Sequence, residues 1–389
     1  MSFELILQKS KEVFLKCSLP NGAIIAADVF NKIYPENVKW YGYVWLRDAS
    51  FVCYACDLLK MHEIPRKFFD WLLKAEGLKE GIFAHKYYPN GRIAGDFDLN
   101  LDFQNVKGNL KKILKNYLKT KVFYIQFQAD QLGTLIWAIY EHSKFENEEK
   151  FKEIVEILAN SICKNWNKTH FKIPSFDLWE EKVALPKLKQ VHTYSLASCI
   201  KGLECAMQIL GEREEWKKTL KQMKRVLNKC YSENLGYFVK TYGKIIDETL
   251  DSSNVALVWP FEQFNASDER IVKTIEKIIQ FNEKNGGIYR YQNDKYDGKI
   301  ELCDLKLGGA GAWPILNYWL SIYFSLKEEK EKALKYFNWV NEKCLKWEKE
   351  YKGYLPEQIK EEKPYSIIPL AWSHAMFVIA AKFIGLMKK

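Results

Sequence analysis

Residues 148–166 read EEKFKEIVEILANSICKNW, residues 174–181 read PSFDLWEE, and residues 194–210 read YSLASCIKGLECAMQIL. The first and third segments repeat apolar residues at intervals of three and four, the period of a helix with a buried face. The middle segment breaks that period with Pro174 and packs three carboxylates around one tryptophan. Two helices with a long, aromatic-rich connection between them form the unit whose repetition decides the fold.

Working outward, the same period predicts helices over Phe3–Leu15, Asp48–Leu59, Pro65–Leu73, Gln128–His142, Glu148–Trp166, Tyr194–Leu210, Glu214–Lys229, Asp268–Phe281, Gly311–Leu326, Glu328–Trp347 and Ile368–Leu386. A short apolar piece at Ser253–Phe261 brings the total to about twelve. Some breaks are brief and polar, as between antiparallel neighbours. Others gather Gly and Pro: Pro89-Asn90-Gly91, Ile173-Pro174-Ser175, Gly286-Gly287, Gly308-Gly309 and Pro356. Tight turns at one end and long loops at the other describe a ring of helical hairpins with one functional face. No βαβ spacing, phosphate-cradling Gly loop or Pro/Ser linker interrupts the pattern, so one all-α domain over residues 1–389 is expected.

The 389 residues are 48% hydrophobic and 15% aromatic, enough for a large core. A net charge of +10 comes from Lys spread beside Glu, not from an Arg-rich stripe, which argues against a nucleic-acid groove. The nine cysteines are odd in number and mostly lie in apolar helical patterns. Cys53 and Cys56 have CxxC spacing without a second pair, so reduced core thiols are expected and no metal site. The start of the chain carries no signal-peptide pattern, and no apolar run approaches membrane-spanning length. A cytoplasmic protein without a membrane or nucleic-acid partner is the expectation.

The chemistry-bearing residues are the acids of the 174–181 segment and a distant partner in Leu355-Pro356-Glu357-Gln358. Two carboxyl groups across a glycosidic bond are what its cleavage requires, one donating a proton and the other activating water or attacking. Plainer readings exist for each residue taken alone. Arg47-Asp48 suits a helix start, where Asp favours the dipole. Trp372 and His374 suit an apolar helix, one as a core aromatic and the other as a satisfied histidine. His85 and His192 have no ligand spacing and read as structural or peripheral. Asp130 fits either a pocket wall or a buried partner. Gly308, Gly309 and Gly311 suit a tight turn before a helix.

Motifs in a fixed order carry a resemblance. Tyr41-Gly42-Tyr43-Val44-Trp45-Leu46-Arg47-Asp48, Gln126-Phe127-Gln128-Ala129-Asp130-Gln131-Leu132-Gly133, Asp177-Leu178-Trp179-Glu180-Glu181, Gly286-Gly287-Ile288-Tyr289-Arg290-Tyr291, Gly308 to Pro314, Pro356-Glu357-Gln358 and Leu370-Ala371-Trp372-Ser373-His374-Ala375 resemble the catalytic domain of the glucoamylase-like family, glycoside hydrolase family 15. The resemblance implies an (α/α)6 toroid of six hairpins and an inverting, exo-acting α-glucosidase that needs no cofactor. It implies Glu180 as general acid and Glu357 as general base. It further implies substrate contacts from Arg47, Asp48, Arg290 and Tyr41, with Trp45, Trp179 and Trp313 walling the pocket; Asp177, Glu181 and Gln358 complete the expected site.

Physical chemistry adds its own demands. Glu180 must stay protonated, which burial against Trp179 with Asp177 and Glu181 nearby would favour. Glu357 must be ionised, for which a wetter, donor-rich setting with Tyr41 and Gln358 is expected. Inversion asks for a gap of roughly 6.5–9.5 Å between the carboxyl groups. Many relatives carry an N-terminal β-sandwich or a starch-binding module; here helix begins almost at Met1 and nothing follows the last one, so binding to starch granules is not expected. The segments Lys182–Gln190 and Ile93–Lys121, the latter with an amphipathic piece at Leu110–Leu118 that could form a lid, differ from the family pattern beside the pocket mouth. They leave the expected substrate, a small α-linked glucose oligosaccharide or disaccharide, open between maltooligosaccharide, isomaltose-type and trehalose. A trehalase and a non-catalytic carbohydrate-binding regulatory protein are the competing readings.

Overall fold

The computed structural model describes residues 2–79, 81, 84–94, 126–146, 148–298 and 309–387. The lid expected at Leu110–Leu118 lies outside the described residues, as do Gly308 and Cys303.

Helices of two kinds alternate along the chain. The outer kind is amphipathic: in Glu214–Lys229 the buried residues are Trp216, Thr219, Met223, Val226 and Leu227, one stripe at helical spacing. Ser2–Cys17, Glu63–Leu72, Lys150–Asn165, Glu269–Asn282 and Lys330–Lys346 belong with it. The inner kind is apolar nearly all round. Every residue from Ala371 to Ala381 of Ala371–Phe383 is buried, and Leu46–Leu58, Ala129–Ser143, Thr193–Leu210 and Pro314–Leu326 are similar. A helix without a polar face must be wrapped by others.

The inner elements pack in sequence into a closed ring: Leu46–Leu58 on Ala129–Ser143, that on Thr193–Leu210, then the 3₁₀ segment Ser252–Leu257, then Pro314–Leu326, then Ala371–Phe383, which returns to Leu46–Leu58. Each outer helix lies against the ring, and Ser2–Cys17 closes the set by packing on Ala371–Phe383. The result is an all-α toroid of six outer–inner pairs. The fourth inner element is shorter and tighter than the Ser253–Phe261 helix read from sequence, and its Asp251 cap accepts the Ser253 N–H at 2.9 Å.

Closest approach occurs between Ala129–Ser143 and Thr193–Leu210. A Cβ on Gly133 would sit 2.1 Å from the Ser198 carbonyl oxygen, so only glycine lets the two backbones meet there. Below the pocket the ring's axis is filled by aromatic rings. Phe51 lies 5.3 Å from Trp137, 6.2 Å from both Trp259 and Trp319, and 5.4 Å from Trp372, while Tyr194 lies 6.2 Å from Trp319. Trp372 is thus a core aromatic under the site. Such pairs add roughly 0.5–1.5 kcal/mol each beyond burial and make a rigid floor.

Connections from inner to outer helices are short, and those from outer to inner are long. All long loops therefore emerge at the N-terminal ends of the inner elements. Among the described residues, five two-stranded antiparallel ribbons, which the helical period did not foretell, stiffen these loops. One pairs Ser175–Phe176 with Val183–Ala184 and brackets the acidic turn; another pairs Gln358–Lys360 with Lys363–Tyr365 behind Glu357. Among the described residues eight cysteines are buried and free, Cys53 and Cys56 among them. Among the described residues no helix is long and apolar enough to cross a membrane.

Candidate active site

The inner helices begin directly after Trp45, Gln128, His192, Asp251, Trp313 and Leu370, so residues remote in sequence converge on one face. Glu180 sits at the tip of the acidic turn in a left-handed conformation, φ +64°. A non-glycine residue held there costs of order 1–3 kcal/mol, and such strain clusters where a side chain must be presented at a fixed angle. Trp45 Nε1 donates to Glu180 Oε1 at 2.7 Å, Arg47 Nη2 lies 3.8 Å from the same oxygen, and His85 Nε2 lies 3.8 Å from Oε2. Burial pushes the Glu180 carboxyl up, against the pull of Arg47, Lys86 and the Trp45 donor.

Burial leads that rise, as read in the sequence, while the neighbouring side chains of the turn are engaged with partners of their own. Trp179 Nε1 donates to Asp251 at 2.9 and 3.1 Å, and its ring lies 5.1 Å from Trp313. Asp177 and Glu181 each have a cation of their own. Asp177 Oδ2 pairs with Lys240 Nζ at 2.8 Å while Oδ1 accepts the N–H groups of Glu181 and Lys182 at 2.8 and 3.0 Å. Although burial opposes it, the Lys240 charge, with the donors to Asp177, holds that carboxyl down at about 2. Asp177 is thereby committed inside the turn and not offered to a ligand. Glu181 Oε1 accepts from Arg290 Nη2 at 2.7 Å, and Tyr291 donates to its other oxygen.

Glu357 accepts from Tyr41 OH at 2.8 Å and from Ser366 Oγ. Tyr41 OH also shares a 2.7 Å hydrogen bond with Tyr296 OH. The setting is donor-rich but not wet: Glu357 is only 3% exposed, and burial raises its pKa while Ser366 and Tyr41 lower it. Gln358 plays no part in holding it. Its Oε1 accepts the Gly311 N–H at 2.5 Å and its Nε2 donates to Tyr296 O at 3.2 Å, which fixes the turn before Trp313.

Glu180 and Glu357 are hydrogen-bonded to different partners. Their indole and phenol donors, Trp45 and Tyr41, come from one stretch with rings 5.0 Å apart, and both carboxyl groups act on Tyr41 and Asp48. Arg47 Nη1 reaches Gln128 Oε1 and Asp130 Oδ2, both at 3.1 Å, which makes Asp130 its buried partner. Asp48 Oδ1 lies 3.3 Å from Arg47 Nε and has no hydrogen-bond partner among the described residues. Burial pushes Asp48 up to about 7, with Glu180, Glu357 and Asp130 adding to the rise and Arg47 opposing it. Arg290 binds Asp294 through Nε at 2.7 Å and Nη2 at 2.6 Å, amid Trp179, Tyr291, Tyr296 and Trp313, whose ring centroids lie 4.9–5.2 Å away.

His374 does not touch the pocket. Ser10 donates to Ile6 O at 2.8 Å, so His374 Nδ1–H donates to Ser10 Oγ at 2.9 Å and Nε2 accepts the Leu355 N–H at 3.0 Å. With Ser373 Oγ donating to Pro356 O at 2.7 Å, the inner helix holds the backbone just before Glu357. Sequence reasoning did not single out Ser366, Tyr296, Lys240 and Asp251 as site residues, and it set His85 aside. Tyr296 alone had a signal, since it and Asp294 follow directly after the Gly286–Tyr291 motif.

A model of glycosyl hydrolases family 15 matches residues 2–382. The chain is 31% identical over 373 residues to an uncharacterized glycosyl hydrolase of Methanocaldococcus jannaschii, across 92% of this chain but only 52% of that protein, so it spans about half the length of that relative. It is 22% identical over 398 residues to an isomaltose glucohydrolase of Kribbella flavida, covering 94% of this chain and 89% of that one. Among solved structures, a glycosidase variant in complex with glucose superimposes with a TM-score of 0.74 at 19% identity, covering 100% of this chain and 98% of the other.

Proposed function

The chain belongs to glycosyl hydrolases family 15, and on that premise we propose that residues 1–389 form one catalytic domain, an inverting exo-acting α-glucosidase that releases glucose from short α-glucans or disaccharides. The observation that carries the reading is the pairing of Glu180 with Trp45 and of Glu357 with Tyr41, whose rings adjoin. Glu180, its carboxyl raised by burial, gives its proton to the glycosidic oxygen as the bond from that oxygen to the anomeric carbon breaks. Glu357 takes a proton from a water whose oxygen forms the new bond on the opposite face. The anomeric configuration inverts, Glu180 ends ionised and Glu357 protonated, and proton exchange with solvent restores both.

Around that pair, Asp48 and the Arg47–Glu180 edge supply acceptor and donor positions suited to sugar hydroxyls, and Trp45, Trp179 and Trp313 supply apolar faces. The kinship with an isomaltose glucohydrolase favours a small substrate. Incubation with maltose, isomaltose, panose and trehalose identifies the substrate by glucose release. Glu180→Gln and Glu357→Gln are each expected to lower turnover on the order of 10²–10⁴-fold, the usual worth of a positioned proton donor or acceptor, with unchanged thermal melting. Full turnover in a folded Glu180→Gln protein would end the proposal.

A further inference from the structure

The turn that carries Glu180 is held from both sides by cations, yet neither cation hydrogen-bonds the acid itself. Arg290 binds Glu181, one residue after it, and Lys240 binds Asp177, three residues before it. Lys240 is a lysine with only 4% of its side chain exposed, and its Nζ also lies 3.2 Å from Asp251 Oδ2 and 4.8 Å from the Tyr291 ring centroid. It rises between the strand pairs Tyr231–Ser232/Tyr237–Phe238 and Val191–His192/Thr241–Tyr242, so its backbone is fixed by hydrogen bonds on both sides. Burying an ammonium is costly unless it is paired, and here it joins two carboxylates from separate loops.

Each of those carboxylates supports a different wall of the pocket. Asp177 accepts two backbone N–H groups of the acidic turn, and its own carbonyl accepts the Glu180 N–H at 3.1 Å and the Gln128 side chain at 3.0 Å. Asp251 caps the 3₁₀ segment and receives the Trp179 indole. Arg47 already lies 3.8 Å from Glu180 and pulls its carboxyl down, and a further cation hydrogen-bonded to it would weaken it more as a proton donor. Gripping its neighbours instead fixes the carboxyl in space without adding to that pull through direct contact.

We infer that Lys240 is a positioning residue for proton donation: it ties Asp177 to Asp251 and so sets where the turn presents Glu180. The inference rests on Glu180 being the general acid. The groups facing Lys240 and its partners are Asp177, Asp251, Glu181, Tyr291 and His192.

The test compares two substrates of wild type and Lys240→Met: whichever of maltose, isomaltose and trehalose the wild type cleaves fastest, and α-glucosyl fluoride, whose departing fluoride needs no proton. Disaccharide kcat is expected to fall on the order of 10²-fold, the scale of a misplaced catalytic group, with KM nearly unchanged and fluoride turnover near that of wild type. A second variant, Asp177→Asn with Lys240→Met, keeps the buried net charge of the wild type and lacks the tie; it is expected to show the same split. Equal losses on both substrates, no loss on either, or failure of both variants to fold would overturn the inference. Glu180→Gln run alongside separates the two ideas. If it shows the split and the lysine variants do not, only the role of Lys240 falls; if it is fully active on the disaccharide, the acid assignment itself falls.

Discussion

Acid should loosen the protein through His374, a residue buried to 0% exposure behind the pocket. Its ring is satisfied only as the neutral form, donating from Nδ1 to Ser10 and accepting the Leu355 N–H at Nε2. Burial, with Lys9 adding to it, drives its pKa from 6.5 to about 3. The unfolded chain therefore binds this proton more readily than the folded one. The stabilisation is fully present above pH 6.5 and is lost progressively as pH falls toward 3. At pH 4 the two pKa values imply a loss of about 3 kcal/mol. Asp48 works the other way: raised to about 7, it binds a proton more tightly in the fold and adds stability as pH drops from 7 toward its ordinary value. A melting curve of the wild type alone would blend the two. The clean measurement is the difference in unfolding free energy between wild type and His374→Gln, taken by urea titration from pH 7.5 to 4. That gap should shrink by about 3 kcal/mol over the range. A gap that stays constant would refute the assignment of a neutral, doubly bonded imidazole.

Three further outcomes are expected. Trp45→Phe removes the donor that favours the ionised form of Glu180, so the alkaline limb of the kcat/KM profile should move to higher pH; a limb that stays or moves down would contradict the pairing. Arg290→Lys keeps the charge but cannot reproduce the fork to Asp294 and Glu181, and should cost about 1–3 kcal/mol for each buried acceptor left open, read as a lower Tm. Gly133→Ala forces a methyl group against the Ser198 carbonyl and should destabilise by about 1–3 kcal/mol or more in urea unfolding; wild-type stability would mean the two helices can part.

The ring was legible because helices announce themselves locally. Glu214–Lys229 was readable to the residue, since its apolar stripe and first-turn acids need no knowledge of the partner. An all-α ring of helical hairpins followed from counting such stripes and noting which breaks were long, and the six-hairpin toroid from the motif resemblance. Loop chemistry was not legible in the same way. That Trp179 turns to Asp251 and that Trp45 serves Glu180 depend on where three separate loops meet, and no spacing encodes that. Lys240 looked like one surface lysine among many because its burial is decided by Asp177 and Asp251, 63 residues before it and 11 after it. Ser366 was hidden for a related reason: a ribbon over Gln358–Tyr365 folds it back on Glu357. The wet setting expected for Glu357 failed because donors, and not solvent, satisfy it.

The unequal connections of the toroid have a consequence for how such a protein can diversify. Each long segment leaves from one outer helix and returns to the start of the next inner one, so its two ends are set by ring packing and not by its own length. Closing a longer excursion adds only about 0.6 kcal/mol per doubling. A lineage could therefore graft new residues onto one arc of the rim, changing which sugar fits beyond the scissile bond, while the aromatic floor and the opposite arc keep their shape. Changes on the short-turn side have no such freedom, since they would disturb helix spacing all the way round.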